Sequence, residues 1–288
     1  MNLILHEQTS AQITKFLSSP SHALLLEGQI GSGKGYLAEY LVVKLLHIDQ
    51  HKLASYPYLL KVTPINKVIS IEAVREVQKF MHLKTMGDGD IRRVLIMQDA
   101  QAMTTEAQNA LLKLLEEPPE DTALILTSIP SHSLLSTIYS RLQKISVKPP
   151  HKHDVVTFFE SKNFRANDIE RAYYLSEGQV GLMDALLTEN AGHSLNSSIV
   201  EAKMLVTNTT FERLSNVDRL SKQKDNLPEL LYALERVYRS VLMNAVDKAN
   251  DKAIRQSHRA LKLILEAQSR LAMNPNIKLL LADLFLNL

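Results

Sequence analysis

The 288-residue sequence contains no cysteine, which excludes disulfide bridges and thiolate zinc sites and fits a reducing cytoplasm. No apolar run approaches the ~20 residues that a membrane-spanning helix needs. The start, Met1-Asn2-Leu3-Ile4-Leu5-His6-Glu7, lacks the basic residues and long apolar stretch of a secretory leader, so a cytoplasmic protein is expected. Charge of one sign is not in excess. With 33 basic and 31 acidic residues the formal charge is +2, so any contact with nucleic acid must come from a local patch. Arg92, Arg93, Lys144, Lys148 and Lys152 are scattered rather than striped, and few aromatic residues stand near them to stack bases. There is no internal repeat and no low-complexity segment. At 45% hydrophobic and 22% charged residues, a chain of this length reads as an ordered protein of two or three domains.

What is present is a phosphate-binding loop. Residues 28–35 read Gly-Gln-Ile-Gly-Ser-Gly-Lys-Gly, directly after the apolar run Ala23-Leu24-Leu25-Leu26. A strand, a glycine-rich turn and a lysine opening a helix together cradle phosphates on backbone N–H groups. Gly28, Gly31, Ser32, Gly33 and Lys34 build that loop. The next position normally offers a Ser or Thr hydroxyl to Mg²⁺; here it is Gly35, with Ser32 as a weak substitute. Farther on, Val94-Leu95-Ile96-Met97-Gln98-Asp99 reads as a second buried strand ending in an acid. Asp99 either holds Mg²⁺ through water or ends the strand structurally. Ala100 follows where a hydrolysing enzyme of this kind carries a glutamate to polarise water. With hydroxyl and glutamate both missing, the expectation is a loop used without hydrolysis, holding ATP or ADP with Mg²⁺ weakly or not at all.

The rest of the first half alternates. Helices are expected over 9–17, capped by Thr9 or Ser10, and over 34–47. A third is capped by Ser70 and carries Ile71, Val74, Val77 and Met81 at helical spacing. A fourth runs from Thr104 or Thr105 to the Pro118-Pro119 stop. Strands are expected over 59–62, 93–98, 124–128 and 144–147, with a turn at 86–90. Such alternation implies a parallel, doubly wound sheet. Pro149-Pro150 marks a boundary. Beyond it three short helices over 151–190 turn at 178–181, and from about Asn196 longer helices alone are expected, interrupted at Asn226-Leu227-Pro228 and Asn274-Pro275. Leu230, Leu231, Leu234, Val237, Tyr238 and Val241 form one apolar stripe; another helix begins over 261–265 and a third covers 279–288. A module of this kind folds as a bundle or packs on a neighbour.

The run Glu106-Ala107-Gln108-Asn109-Ala110-Leu111-Leu112-Lys113-Leu114-Leu115-Glu116-Glu117-Pro118-Pro119 resembles the signature of bacterial clamp-loader subunits. These are AAA+ proteins of the DNA polymerase III holoenzyme that open the sliding clamp and place it on primed DNA. Ile71-Glu72-Ala73-Val74-Arg75, Tyr139-Ser140-Arg141-Leu142-Gln143 and Asn274-Pro275-Asn276-Ile277-Lys278-Leu279 agree with it. The resemblance implies an α/β AAA+ P-loop domain over 1–150, its parallel sheet flanked by helices. It further implies a small helical lid over 151–192 and an all-α collar for oligomerisation over 193–288. Motor subunits of the family, gamma and tau, carry a complete P-loop, an Asp-Glu pair and a sensor arginine in the lid. Here Ala100 replaces the glutamate, Gly178-Gln179-Val180-Gly181-Leu182 holds no arginine, and the sequence ends without tau's long extension. In these departures it is similar to the family's non-hydrolysing stator, which sits at one end of the ring.

The resemblance also implies roles. Ser140-Arg141-Leu142 stands where the family has Ser-Arg-Cys, so Arg141, with Ser140, would reach across an interface to the ATP of a gamma/tau-like motor. An arginine supplied in trans is worth ~10³–10⁵ in rate in other NTPases; a local ion pair is the alternative reading of Arg141. Ser128 aligns with the family's polar sensor position, or is an ordinary strand-end serine. Implied partners are the motors, a delta-like subunit, the sliding clamp and, through the assembled complex, primer-template DNA held by its phosphates. Many relatives insert a four-cysteine zinc module after the P-loop. His47-Ile48-Asp49-Gln50-His51 occupies that region here; the spacing could place His47 and His51 on one helical face, where a metal site is conceivable, but with no third ligand they are read as surface histidines and no zinc is expected. Glu116-Glu117-Pro118-Pro119 reads as a helix terminus without chemistry. A working ATPase with divergent Mg²⁺ and water-positioning residues is one alternative function. A small-molecule P-loop kinase is the other, and the helical tail and the Arg141 motif argue against it.

Overall fold

A computed structural model describes residues 3–86, 89–130, 134–188, 194–271, 273 and 275–288, the side chain of Ser194 apart. The chain divides into two compact units, Met1–His151 and Lys152–Leu288.

In the first unit α1 (Glu7–Ser18) leads to β1 (Ala23–Glu27), α2 (Lys34–Leu45), β2 (Leu59–Val62) and α3 (Ile71–Met81). Then follow β3 (Arg93–Met97), α4 (Thr105–Glu116), β4 (Thr122–Ser128), α5 (Ser136–Tyr139) and β5 (Gln143–Ser146). The strands pair in parallel in the order β2-β3-β4-β1-β5. Near-continuous apolar strands are what a sheet covered on both faces requires. Leu25, Leu95, Leu124 and Leu126 face one way, into a cluster with Val74 and Val77 of α3 and Leu111 of α4. Leu24, Leu26, Ile96 and Ile125 face the other way, onto Phe16 of α1 and Leu37 and Leu41 of α2. Each such leucine contributes about 1.5–3 kcal/mol on burial. Because β1 lies between β4 and β5, its carboxyl end opens at a switch in strand order, where sheets of this class hold ligands.

Two local expectations shift. α1 begins at Glu7 rather than Thr9, because His6 Nδ1 accepts from the Gln8 N–H at 3.1 Å and caps it. Thr9 is buried instead; its hydroxyl donates to Ser146 O at 2.8 Å and accepts from Lys148 N, tying α1 to β5. Of the turn expected at 86–90, Gly87 and Asp88 lie outside the described residues.

The second unit is helical: α6 (Lys152–Ser161), α7 (Ala166–Ser176), α8 (Val180–Leu187), α9 (Ser194–Thr207), α10 (Thr210–Ser215), α11 (Val217–Lys222), α12 (Leu227–Asp247), α13 (Asp251–Leu271) and α14 (Ile277–Asn287). α12 packs on α7, α9 and α13, and α14 on α10, α11 and α13. The lid–collar boundary expected at 192 falls among residues outside the description. Longer helices alone do not fill 196–288: α10 and α11 have six residues each, and α10 opens with a Thr209–Glu212 capping box. α13 starts at Asp251, well before Leu261, because its buried face is made of small residues, Ser257, Ala260 and Ala267, around Ile264. Val241, at the end of the expected α12 stripe, is exposed, as are Leu265 and Leu279.

Candidate functional site

The Gly28 N–H donates to Ser128 O at 3.1 Å, carrying the β1–β4 ladder one residue into the loop. There the chain turns through Gly31 and Gly33, whose φ angles of 85° and 86° belong to the left-handed region that glycine adopts without a β-carbon clash. Gly28 is required for a different reason. A β-carbon there would stand 2.8 Å from Ser32 Oγ and 3.0 Å from Val147 O. Ser32 Oγ is itself buried without a hydrogen-bond partner among the described residues. Lys34 is buried, and its ammonium turns back to donate to Gly28 O at 2.7 Å and Gln29 O at 3.0 Å. Burial lowers its pKa to about 8, a shift only partly offset by the Asp99 carboxylate.

The cation side of the loop is different. Gln98 Nε2 lies 3.1 Å from where a β-carbon on Gly35 would stand, so an amide is packed against the point from which the missing hydroxyl would branch. Asp99, in left-handed backbone at φ 52°, donates its N–H to Thr127 Oγ1 at 3.0 Å and accepts from Gln101 Nε2 at 3.2 Å. Ala100 is fully buried in the same core cluster as Met97, Met103 and Ala107. Ser128 is buried, and its hydroxyl donates to Ile129 O at 2.8 Å. Left-handed glycines, an ammonium and an orphaned hydroxyl suit a phosphate group. Mg²⁺ lacks its hydroxyl ligand at Gly35, where an amide nitrogen lies close by, and Ala100 puts a buried methyl where an acid would polarise the attacking water.

Arg141 forms a second group, between α5 and the edge strand β5. Its Nη1 donates to Thr137 O at 2.8 Å and its Nη2 to Glu116 Oε1 at 2.7 Å. The two side chains are 37% and 49% exposed. Ser140 Oγ donates to the same Thr137 carbonyl at 3.1 Å, and Leu142 is buried. The local ion pair and the surface position are therefore both features of Arg141. Two residues earlier, Tyr139 OH donates to Glu27 Oε2 at 3.0 Å, and the Lys144 ammonium lies 3.8 Å over the Tyr139 ring. Glu27 directly precedes Gly28, so the arginine segment is tied to the strand that ends in the loop.

The structure thus gathers Gly28, Gly31, Ser32, Gly33, Lys34, Gly35, Asp99 and Ser128 around the end of β1, with Arg141 and Ser140 in a neighbouring cluster. His47 and His51 do not share a helical face: α2 ends at Leu45, His47 is left-handed at φ 51°, and His51 lies in a short 3₁₀ turn. Arg93 leaves the basic surface set, because it is buried and donates to Met81 O and Leu83 O. Gln98 and Tyr139 are read from the sequence only as parts of a strand and a motif, and Glu116 only as a helix terminus without chemistry; the structure places all three at the site. A usable signal existed for Glu116: two acids stood at the end of a helix whose dipole disfavours them.

The strand order, the phosphate loop after β1 and the appended helical unit define an AAA+-type P-loop protein. A family profile described as DNA polymerase III, delta subunit, matches residues 6–151, and the chain belongs to that family, in its delta-prime clamp-loader branch. Subunit delta' of Haemophilus influenzae is 31% identical over 156 residues, 49% of this chain and 47% of that relative, so the match spans about half the relative's length. Subunit delta' of Bacillus subtilis is 24% identical over 306 residues, 93% of this chain and 91% of that relative. Among solved structures, a gamma subunit-related protein of Thermotoga maritima aligns with a TM-score of 0.58 at 20% identity, over 97% of this chain and 98% of that one, a likeness of fold. Among the described residues no helix is long and apolar enough to cross a membrane.

Proposed function

We propose that the chain is a non-hydrolysing stator of a DNA polymerase III clamp loader, supplying Arg141 in trans to the ATP of a gamma/tau-like motor. The observation that carries this reading is one contrast: a phosphate loop without its Mg²⁺ hydroxyl or glutamate, beside an arginine held at the surface next to the sheet edge. Lys34 and the loop N–H groups are suited to grip a polyphosphate. ATP or ADP bound there would supply a polyanion, and no residue at position 100 could activate water against it. Arg141 would instead stabilise charge on the phosphate transferred in the neighbouring site, with Ser140 holding the turn. The exposed Val241, Leu265 and Leu279 favour a helical unit that packs on other subunits, including a delta-like one. In the assembled ring, contact with the sliding clamp and with primer-template phosphates would be shared among subunits, which suits a chain of formal charge +2.

The test has two arms. The isolated chain should not turn over ATP with Mg²⁺ present; robust turnover abolished by Lys34→Ala would make it a motor and refute the reading. In a complex reconstituted with motor and delta-like subunits, clamp and primed DNA, Arg141→Ala should leave the fold intact and slow ATP turnover. An unchanged rate would remove Arg141 from its role.

A further inference from the structure

The C-terminal end of a helix carries carbonyls without intrahelical partners, so its potential is negative and favours cations. α4 nevertheless ends in two acids, Glu116 and Glu117, before Pro118. The cation that answers Glu116 comes from elsewhere in the fold. Arg141, 25 residues on, brings its Nη2 to Glu116 Oε1 at 2.7 Å while Nη1 holds Thr137 O.

We propose that Glu116 is the positioning residue of Arg141, fixing the guanidinium in the orientation from which it meets the terminal phosphate of a nucleoside triphosphate on an adjoining subunit. This rests on the trans role of Arg141. A surface arginine has enough rotamer freedom to lose most of its catalytic value unless something orients it. Here two of its five N–H groups are used, one by a carboxylate and one by a carbonyl, which leaves three donors for an oxyanion. The backbone beneath is anchored separately, by the Tyr139–Glu27 hydrogen bond and by Lys144 over the Tyr139 ring. Glu116 orients the head group and Tyr139 seats the segment. A carboxylate would repel the phosphate it faced, so Glu116 acts through Arg141 and does not itself touch the nucleotide.

The test is steady-state ATP turnover by the complete reconstituted clamp loader carrying Glu116→Gln, Glu116→Asp, Arg141→Ala or Glu116→Gln with Arg141→Ala. Glu116→Gln should lower kcat roughly two- to fivefold, the range that an exposed ion pair supports, with KM for ATP unchanged. Glu116→Asp should recover part of the loss, because it restores the charge. Arg141→Ala should cost more, at least about tenfold, and adding Glu116→Gln to it should cost nothing further. A normal or raised kcat in Glu116→Gln, within a complex that Arg141→Ala does slow, overturns this proposal alone. The same holds if Glu116→Gln has its full effect on the Arg141→Ala background. Insensitivity to Arg141→Ala overturns the trans reading and this proposal with it.

Discussion

The amide nitrogen of Gln98 stands 3.1 Å from the point that a β-carbon on Gly35 would occupy, whereas a β-carbon on Gly28 would meet the Val147 carbonyl at 3.0 Å. The first neighbour is the tip of a flexible side chain and the second is backbone. Gly35 also lies in the first turn of α2, where alanine is favoured over glycine by about 0.5–1 kcal/mol. Gly35→Ala should therefore raise stability by up to that amount, less the cost of moving Gln98. Gly28→Ala should lower stability by about 1–3 kcal/mol through overpacking. Urea unfolding of both variants checks the pair, and a Gly35→Ala protein weaker than wild type would mean that Gln98 is locked in place.

Lys34 gives stability a pH dependence of definite sign. Its pKa is about 8 in the folded chain against 10.5 when unperturbed, so below pH 8 it is charged in both states and burial opposes folding by a constant amount. Between 8 and 10.5 the unfolded chain keeps a proton that the folded one has lost, and stability rises with pH. The whole gain is at most about 3 kcal/mol. Lys34→Met removes the titrating group, so wild type should gain on this variant through that window. Parallel urea titrations at intervals across it provide the measurement; equal pH slopes for the two proteins would contradict the burial argument.

Restoring the acid at position 100 should not restore catalysis. Ala100 is fully buried among Met97, Met103 and Ala107, so Ala100→Glu forces a carboxylate into an apolar cluster. The expected loss of stability is at least about 2 kcal/mol, with no ATP turnover. Turnover by this single variant, followed with Mg²⁺ present, would show that the loop binds the cation well despite Gly35.

Short-range features are legible in the sequence itself. The glycines and Lys34 could be placed because strand, turn and helix start lie within a dozen neighbouring residues, and backbone conformation there is a local matter. Of the four apolar residues at helical spacing in α3, Val74, Val77 and Met81 are buried and Ile71 is only partly so. Helix α13 began earlier than its leucines suggested, since a face of Ser257 and Ala260 carries little hydropathy yet packs closely. Arg93 looked like surface charge because composition does not reveal the carbonyls of Met81 and Leu83 that receive it.

By itself the sequence determined the phosphate loop, its missing hydroxyl and glutamate, the parallel α/β order and the run from Glu106 to Pro119 that marks the family. These depend on residue type and near-neighbour spacing. Only the tertiary structure decided that Gln98 packs against Gly35, that Lys34 turns onto the loop's own carbonyls, and that Glu116 holds Arg141. Each joins side chains or orientations that become defined only when β1, β3, α4 and α5 are packed, because burial and a hydrogen bond's direction belong to the folded sheet and not to any one segment.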